Sequence, residues 1–317
     1  MVLGTGGTIA GRSIHAGDNL GYTAGEVAVA QLLEGIPSLR GVPLCSEQVA
    51  QIDSKDMGPA VWHALALRCA HWLAQDEVGG IVITHGTDTL EETAYFLHAV
   101  LAPSKPVVLT CAMRPATALV PDGPQNIADA VTVASDANAC GVVAVCAGVI
   151  HGARDVRKVH PYRLDAFSSG DEGALGYVEE GRLRMVRAWP SRATVTAADR
   201  LPDPAAWPQV EIVTSHAGAT GAVVDALLAH GIGGLVVAGT GNGTIHQNIE
   251  AALRRAQQRG VNVIRATRCE QGRVLPHGNS EFPHSDGLMP VKARIALMLE
   301  LMGTPPGAGA AAGVRKP

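Results

Sequence analysis

The sequence predicts an α/β protein with a larger N-terminal doubly wound sheet domain and a smaller C-terminal α/β domain. The chain has 317 residues, 47% of them hydrophobic, which is too long for one ordinary core and apolar enough to fill two. Short apolar runs alternate with stretches of helical periodicity along almost the whole length, as expected of strands joined by crossover helices. Pro190, Pro202, Pro204 and Pro208 crowd one stretch and mark a boundary. The expected division is a first domain over 1–189, a linker over 190–208, a second domain over 209–302, and a tail over 303–317. The Gly, Ala and Pro content of that tail favours disorder.

Val2 to Gly4 reads as the first strand. The loop from Gly6 to Gly11 is rich enough in glycine to bring backbone amides against a ligand. It is not a dinucleotide fingerprint, because Ile9 stands where the third glycine belongs, and it lacks the Gly-Lys-Ser/Thr end of a phosphate-binding loop. Arg12 to Tyr22 is polar and reads as a mobile loop, and Glu26 to Leu33 turns helical. Cys45 to Ile52 leads into Asp53-Ser54-Lys55-Asp56, ahead of a long helix from about Gly58 to Leu73.

The apolar run Gly79 to Thr84 breaks at Gly86 and gives way to Leu90, Ala94, Leu97 and Leu101 at helical spacing, so the reading is strand, tight loop, amphipathic helix. Thr89 with Glu92 fits a capping box. Val107 to Thr110 is a strand ending in Cys111-Ala112-Met113-Arg114-Pro115, and an apolar strand from Gly141 to Val149 ends in His151 to Lys158. Gly176 to Met185, with Glu180-Gly181 at its centre, is a hairpin. Past the boundary, strands at Val210–Thr214, Leu235–Val237 and Val261–Ile264 alternate with helices at Gly221–Ala229 and Ile245–Arg259. A loop over 270–289 and a helix from Pro290 to Leu301 complete the second domain. Each motif of the first domain follows a strand's carboxyl end, where open α/β sheets bind their ligands. His85 to Asp88 also lie beside a helix amino terminus. Turn, cap and core chemistry alone also accommodates His85, Thr87 and Asp88.

A net charge of −4 and a pI near 6.3 argue against a nucleic-acid partner, for which a basic patch is expected. A small molecule is the expected ligand. The six cysteines are scattered without a CxxC pair and read as small buried apolar residues. His277 and His284, or His151 and His160, lack ligand spacing, so neither a metal nor another cofactor is expected. No apolar run reaches the ~18 residues of a membrane span and no leader precedes the first strand. The expected location is the cytoplasm, with the short start at Met1-Val2-Leu3 leaving open an upstream start that carries a leader.

Two segments, Gly4-Thr5-Gly6-Gly7-Thr8-Ile9-Ala10-Gly11 and His85-Gly86-Thr87-Asp88-Thr89, together resemble the signature segments of the bacterial-type L-asparaginase and glutaminase-asparaginase family. The resemblance continues in order through Ser54-Lys55-Asp56-Met57, Ala112-Met113-Arg114-Pro115, Asp122-Gly123-Pro124 with Asn126, Gly152 to Lys158, and Gly239-Thr240-Gly241-Asn242-Gly243, to about Leu301. It implies hydrolysis of the side-chain amide of L-asparagine, and possession of L-glutamine activity is the alternative within the family. Matched by motif, Thr8 and Tyr22 form one catalytic group and Thr87, Asp88 and Lys158 the other. Ser54 is expected to bind the substrate's α-carboxylate and Asp88 its α-ammonium, with Lys55 beside them. Backbone amides near Gly7, Thr87 and Ala112 are the expected oxyanion donors. The resemblance also implies a homotetramer, a dimer of dimers. The disulfide of the periplasmic branch falls near Gln75 and Pro103 and has no cysteines to form it. Lys55 replaces a common glutamine, Thr244 replaces an asparagine of some members, and Glu270 and Glu281 stand near the glutamate that a neighbouring subunit often donates.

The chemistry is consistent with these residues. A threonine hydroxyl is a poor nucleophile at neutral pH and needs a base or a cationic neighbour. Lys158 is one of five lysines against twenty arginines. To accept a proton it has to be neutral, which Asp88 opposes until the substrate's own ammonium offsets the carboxylate. A plain Asp88–Lys158 ion pair steadying two loops is the structural alternative. An ammonia-supplying role for a partner domain and an amino-acid-binding module without turnover are the functional ones.

Overall fold

The computed structural model describes residues 1–15, 17–190, 197–276 and 281–303. The expected tail beyond Gly303, residues 191–196 of the expected linker, and His277 lie outside the described residues. The chain divides into two compact units, Met1–Arg200 and Leu201 onward.

The first unit runs β1 (Val2–Gly6), β2 (Arg12–Ser13), β3 (Tyr22–Thr23), α1 (Val29–Glu34), β4 (Ser46–Ile52), α2 (Pro59–Leu73), β5 (Ile81–Thr84), α3 (Leu90–Leu101), β6 (Pro106–Thr110) and α4 (Gly123–Ala134). It continues through β7 (Gly141–Cys146), β8 (Val149–Gly152), β9 (Arg157–Lys158), β10 (Phe167–Ser168), β11 (Gly176–Glu179) and β12 (Arg182–Met185). Eight of these strands form one sheet in the order β12-β11-β8-β7-β6-β5-β1-β4. From β4 to β7 the neighbours are parallel, and β8, β11 and β12 extend the β7 edge antiparallel.

The central strands β1, β5, β6 and β7 are buried along their whole length, which is why they read as continuous apolar runs. Alternation along each strand sends side chains to both faces. Val2, Val82, Val108 and Val143 pack with Val29 of α1 and Ile127 and Val131 of α4. On the other face α2 and α3 pack together against the sheet, with the Trp62 and Phe96 rings stacked at 5.0 Å. Each large apolar side chain so buried contributes about 1.5–3 kcal/mol.

The structure alters three local expectations. The apolar run Gly141 to Val149 is two strands, because Ala147 and Gly148 take φ of 49° and 75° and turn the chain back as a two-residue hairpin. An alanine at the first turn position hides that reversal from a sequence reading. Thr89 is the N-cap of α3 without capping it by side chain; its hydroxyl donates to the Ser54 carbonyl at 2.8 Å instead. The cysteines divide: Cys69, Cys111 and Cys146 are buried, while Cys45 and Cys269 are exposed.

The second unit has a parallel sheet of β13 (Val210–Thr214), β14 (Gly234–Gly239) and β15 (Asn262–Thr267) in that order. It carries α5 (Ala222–Ala229), α6 (Gln247–Gln258) and α7 (Pro290–Gly303). Ile249, Ala252, Leu253 and Ala256 of α6 recur at helical spacing and enter the core with Val237 and Val263. The loop after β14 is closed by reciprocal Thr240–Thr244 backbone bonds of 3.0 and 2.8 Å.

A buried chain of hydrogen bonds fixes the end of β5. The Trp62 indole donates to Thr93 Oγ1 at 2.9 Å, and that hydroxyl lies 2.9 Å from His85 Nε2. An indole N–H only donates, so the Thr93 proton is free to point at Nε2, which leaves Nδ1–H to donate to the Gly86 carbonyl at 2.7 Å. Burial pushes His85 down to about 4 from the ordinary 6.5, so the ring is neutral. Between those two values the unfolded chain binds a proton here and the folded chain does not, so stability falls as pH falls through this window. The expected loss is about 3 kcal/mol. Urea unfolding across that window should show a shallower decline for His85→Gln than for the wild type, whatever its stability at neutrality; equal declines would assign the acid limb to other groups.

Candidate active site

Three strand ends meet at glycines. Gly6 and Gly7 leave β1 with φ of 98° and 81°. A Cβ on Gly7 would collide with Gly86 N and Cα, and one on Gly86 would collide with Ser54 Oγ. Close packing of bare backbone therefore joins the loops that follow β1, β5 and β4. Asp88 N donates to Ser54 Oγ at 3.2 Å, which ties the second and third of these loops together.

On this junction sit the two groups expected from sequence. Thr8 Oγ1 lies 2.7 Å from the Tyr22 hydroxyl, and Thr8 is 7% exposed. Tyr22 is held there because β3 pairs antiparallel with β2, Ser13 opposite Tyr22. In the other group Lys158 Nζ donates to Thr87 Oγ1 at 2.8 Å and to Asp88 Oδ1 at 2.7 Å. Lys158 reaches the junction through β9, with Phe167 of β10 as its partner. No hydrogen bond joins Thr8 to Thr87 among the described residues; what the two groups share is the Gly7–Gly86 contact.

Ala112 follows β6 and is buried. Its loop is shaped by Asp122, whose carboxylate accepts from Met113 N at 2.9 Å and Arg114 N at 3.0 Å. Asn126 donates to the Cys111 carbonyl at 2.9 Å and accepts from Ala147 N at 3.0 Å, bridging the ends of β6 and β7. Sequence reasoning assigned no role to Asp122 or Asn126. The Asp122-Gly123-Pro124 start of α4 was the available signal, and Asp122 has turned from the helix to the loop. Lys55 stands apart. Its ammonium meets Asp53 Oδ2 at 2.6 Å and Asp56 Oδ2 at 3.4 Å, and those carboxylates hold its pKa above the ordinary lysine value.

The arrangement offers two threonine hydroxyls with polar partners, a cation, a carboxylate and backbone amides at strand ends, the kinds of group used to attack an acyl carbon and to stabilise the oxyanion that results. Among the described residues no group of three or more His, Cys, Asp or Glu side chains is placed to hold a metal ion, and no helix is long and apolar enough to cross a membrane.

Comparison with known proteins gives the chain a family. Residues 1–191 match the family described as Asparaginase, N-terminal, and residues 209–307 match the Glutaminase/Asparaginase C-terminal domain. The chain is 36% identical over 314 residues to L-asparaginase 2 of Bacillus subtilis (strain 168), covering 96% of this chain and 82% of that protein. It is also 36% identical over 313 residues to the glutaminase-asparaginase of Pseudomonas fluorescens biotype A, covering 96% and 86%. Among solved structures, a probable cytoplasmic L-asparaginase from Campylobacter jejuni superposes with a TM-score of 0.90 at 37% identity, over 96% of this chain and 94% of that one. The chain belongs to the asparaginase family.

Proposed function

We propose that the protein hydrolyses the side-chain amide of L-asparagine to L-aspartate and ammonia through a threonine nucleophile. The observation that carries this reading is Lys158 Nζ within 2.8 Å of Thr87 Oγ1 and 2.7 Å of Asp88 Oδ1, on a backbone junction that also holds the Thr8–Tyr22 pair. Hydrolysis by covalent catalysis requires two attacks, one by the protein on the amide and one by water on the acyl intermediate. Two hydroxyl groups with separate partners suit two attacks.

In the first, Thr8 Oγ1 adds to the amide carbon while its proton passes toward Tyr22, the C–N bond breaks, and ammonia leaves protonated from the transferred hydrogen. In the second, Lys158, its own proton lost to solvent, takes a proton from the attacking water through the Thr87 hydroxyl as the water oxygen bonds to the acyl carbon; the ester C–O bond then breaks, that proton returns to Thr8 Oγ1, and aspartate is released. Asp88 binds the substrate's α-ammonium, which offsets the carboxylate that otherwise holds Lys158 charged. Ser54 Oγ, already against Asp88 N, offers its proton to the α-carboxylate. The amides around Gly7, Thr87 and Ala112 face the oxyanion. The relatives include both asparaginases and glutaminase-asparaginases at the same identity, so L-glutamine is the substrate to compare first. The proposed location is the cytoplasm, on the likeness to the Campylobacter jejuni protein.

Ammonia release measured with L-Asn, L-Gln and their D-isomers tests the activity directly. Thr8→Ala and Thr87→Ala should each lower kcat roughly a thousandfold or more with unchanged circular dichroism. Near-normal turnover by Thr8→Ala would remove it as nucleophile, and tight aspartate binding without ammonia release from the wild type would favour the binding-module reading.

The two charges separate kinetically. Lys158→Met should reduce kcat and leave substrate affinity nearly intact, whereas Asp88→Asn should weaken binding as well, because only Asp88 meets the substrate ammonium. The reverse pattern in steady-state kinetics would sink this division of labour.

We further propose a homotetramer of two tight dimers. Light scattering at assay concentration should give four times the chain mass; an active monomer would exclude it.

A further inference from the structure

A cavity of about 460 Å³ lies in the first unit, within the range of small-molecule sites of about 300–1,000 Å³. Its floor is apolar: Ile9, Val27 and Ile127, each buried, with Leu32 of α1 at the side. Its rim carries two guanidinium groups, Arg12 and Arg114. Arg114 Nη1 donates to the Val120 carbonyl at 3.0 Å, and neither arginine has an ion pair with a carboxylate among the described residues. Glu26 lines a neighbouring cleft that Arg12 also borders, without pairing to it. The first residues of α4, Gly123 and Pro124, form part of the wall; the Asp122 carboxylate at that helix end is occupied by the Met113 and Arg114 amides.

An apolar floor under two guanidinium groups that have no carboxylate partner among the described residues selects a molecule with both properties. We propose that this cavity binds an amphipathic monocarboxylate, its aliphatic tail on Ile9, Val27 and Ile127 and its carboxylate forked by Arg12 and Arg114. Guanidinium suits that head group because its donors match two carboxylate oxygens at once. The aspartate product suits the cavity poorly, having a second charge and an ammonium where the tail would lie.

Occupancy would also tie together two walls that the fold already joins. Ala116 N donates to the Gly11 carbonyl at 3.0 Å and Ser13 N to Thr117 Oγ1 at 2.9 Å. Ile9 is adjacent to Thr8, and Ser13 pairs with Tyr22 across β2 and β3. A ligand bridging Arg12 to Arg114 therefore holds the segment that carries both members of the Thr8–Tyr22 pair. Ligand binding here does not depend on the proposed reaction, and it is measured without it.

Calorimetric titration of the whole chain with octanoate, 1-octanol and acetate tests the assignment. Octanoate should saturate, and both octanol, which lacks the charge, and acetate, which lacks the tail, should bind at least about tenfold more weakly. Arg12→Gln combined with Arg114→Gln should abolish the preference for octanoate over octanol, and Leu32→Trp, which fills the cavity, should block both; circular dichroism checks that each variant is folded. At saturation, amide hydrogen exchange in the segment from Ile9 to Ser13 should slow. No saturable octanoate binding, equal affinity for octanol, or octanoate binding unaltered by Leu32→Trp would each overturn the proposal, as would unchanged exchange in that segment.

Discussion

The first unit depends on an approach between backbones that only glycine permits. A side chain on Gly7 would strike the main chain of Gly86, and one on Gly86 would strike the Ser54 side chain and crowd Gly7 Cα. This contact brings the carboxyl ends of β1, β5 and β4 within hydrogen-bonding reach of one another. Thr8 follows the first glycine by one residue, and Thr87 follows the second by one residue. The spacing of the two hydroxyl groups is thus set by main-chain packing, which has fewer soft degrees of freedom than side-chain packing. Such stiffness suits a site where small displacements of reacting atoms cost large factors in rate.

Stability alone gives a weak account of the charges placed on this junction. The Lys158–Asp88 pair leaves Asp88 51% exposed and Lys158 only 18% exposed. Partly exposed pairs contribute about 0–1 kcal/mol, while removing most of the water from a lysine costs free energy that the pair must offset. The Thr87 hydroxyl adds a second acceptor to the same ammonium. A simple surface clasp would use an exposed lysine and no hydroxyl, as Lys55 does with Asp53 and Asp56 within one loop. The contrast between these two lysine–aspartate clusters, one solvated and one drawn under a threonine, supports a chemical use for the second.

Much of this was legible in the residues. The strands β1, β5 and β6 are apolar runs, and the motifs follow them because parallel sheets put loops of function at carboxyl ends. Glu180-Gly181 announced the β11–β12 hairpin through a polar break with a glycine between two strand runs, and the pair takes φ of 47° and 70°. The reversal at Ala147-Gly148 used the same conformations and was missed, since alanine carries no turn preference and Val149-Ile150 prolongs the apolar run. Thr89 misled for a different reason. Its position at the helix start was right, but a tertiary acceptor, the Ser54 carbonyl, outcompeted the local amide that a capping box would use. Asp122 likewise gave up its helix for the amides of Met113 and Arg114. Local sequence can state which hydrogen bonds a polar side chain is able to make; the acceptors and donors that arrive from elsewhere in the fold decide which ones it does make.

The missed reversal bears on how the cation reaches the junction. Had the chain run on from β7 into a strand-end loop, Lys158 would have belonged to the same layer of loops as Thr8 and Thr87. Instead β8 carries the chain back antiparallel beside β7, and Lys158 returns on β9, held by its pairing with Phe167 of β10. The hydroxyl and the lysine that donates to it thus come from separate structural pieces, a parallel strand end and an antiparallel ribbon, joined by the Lys158 bonds to Thr87 and Asp88.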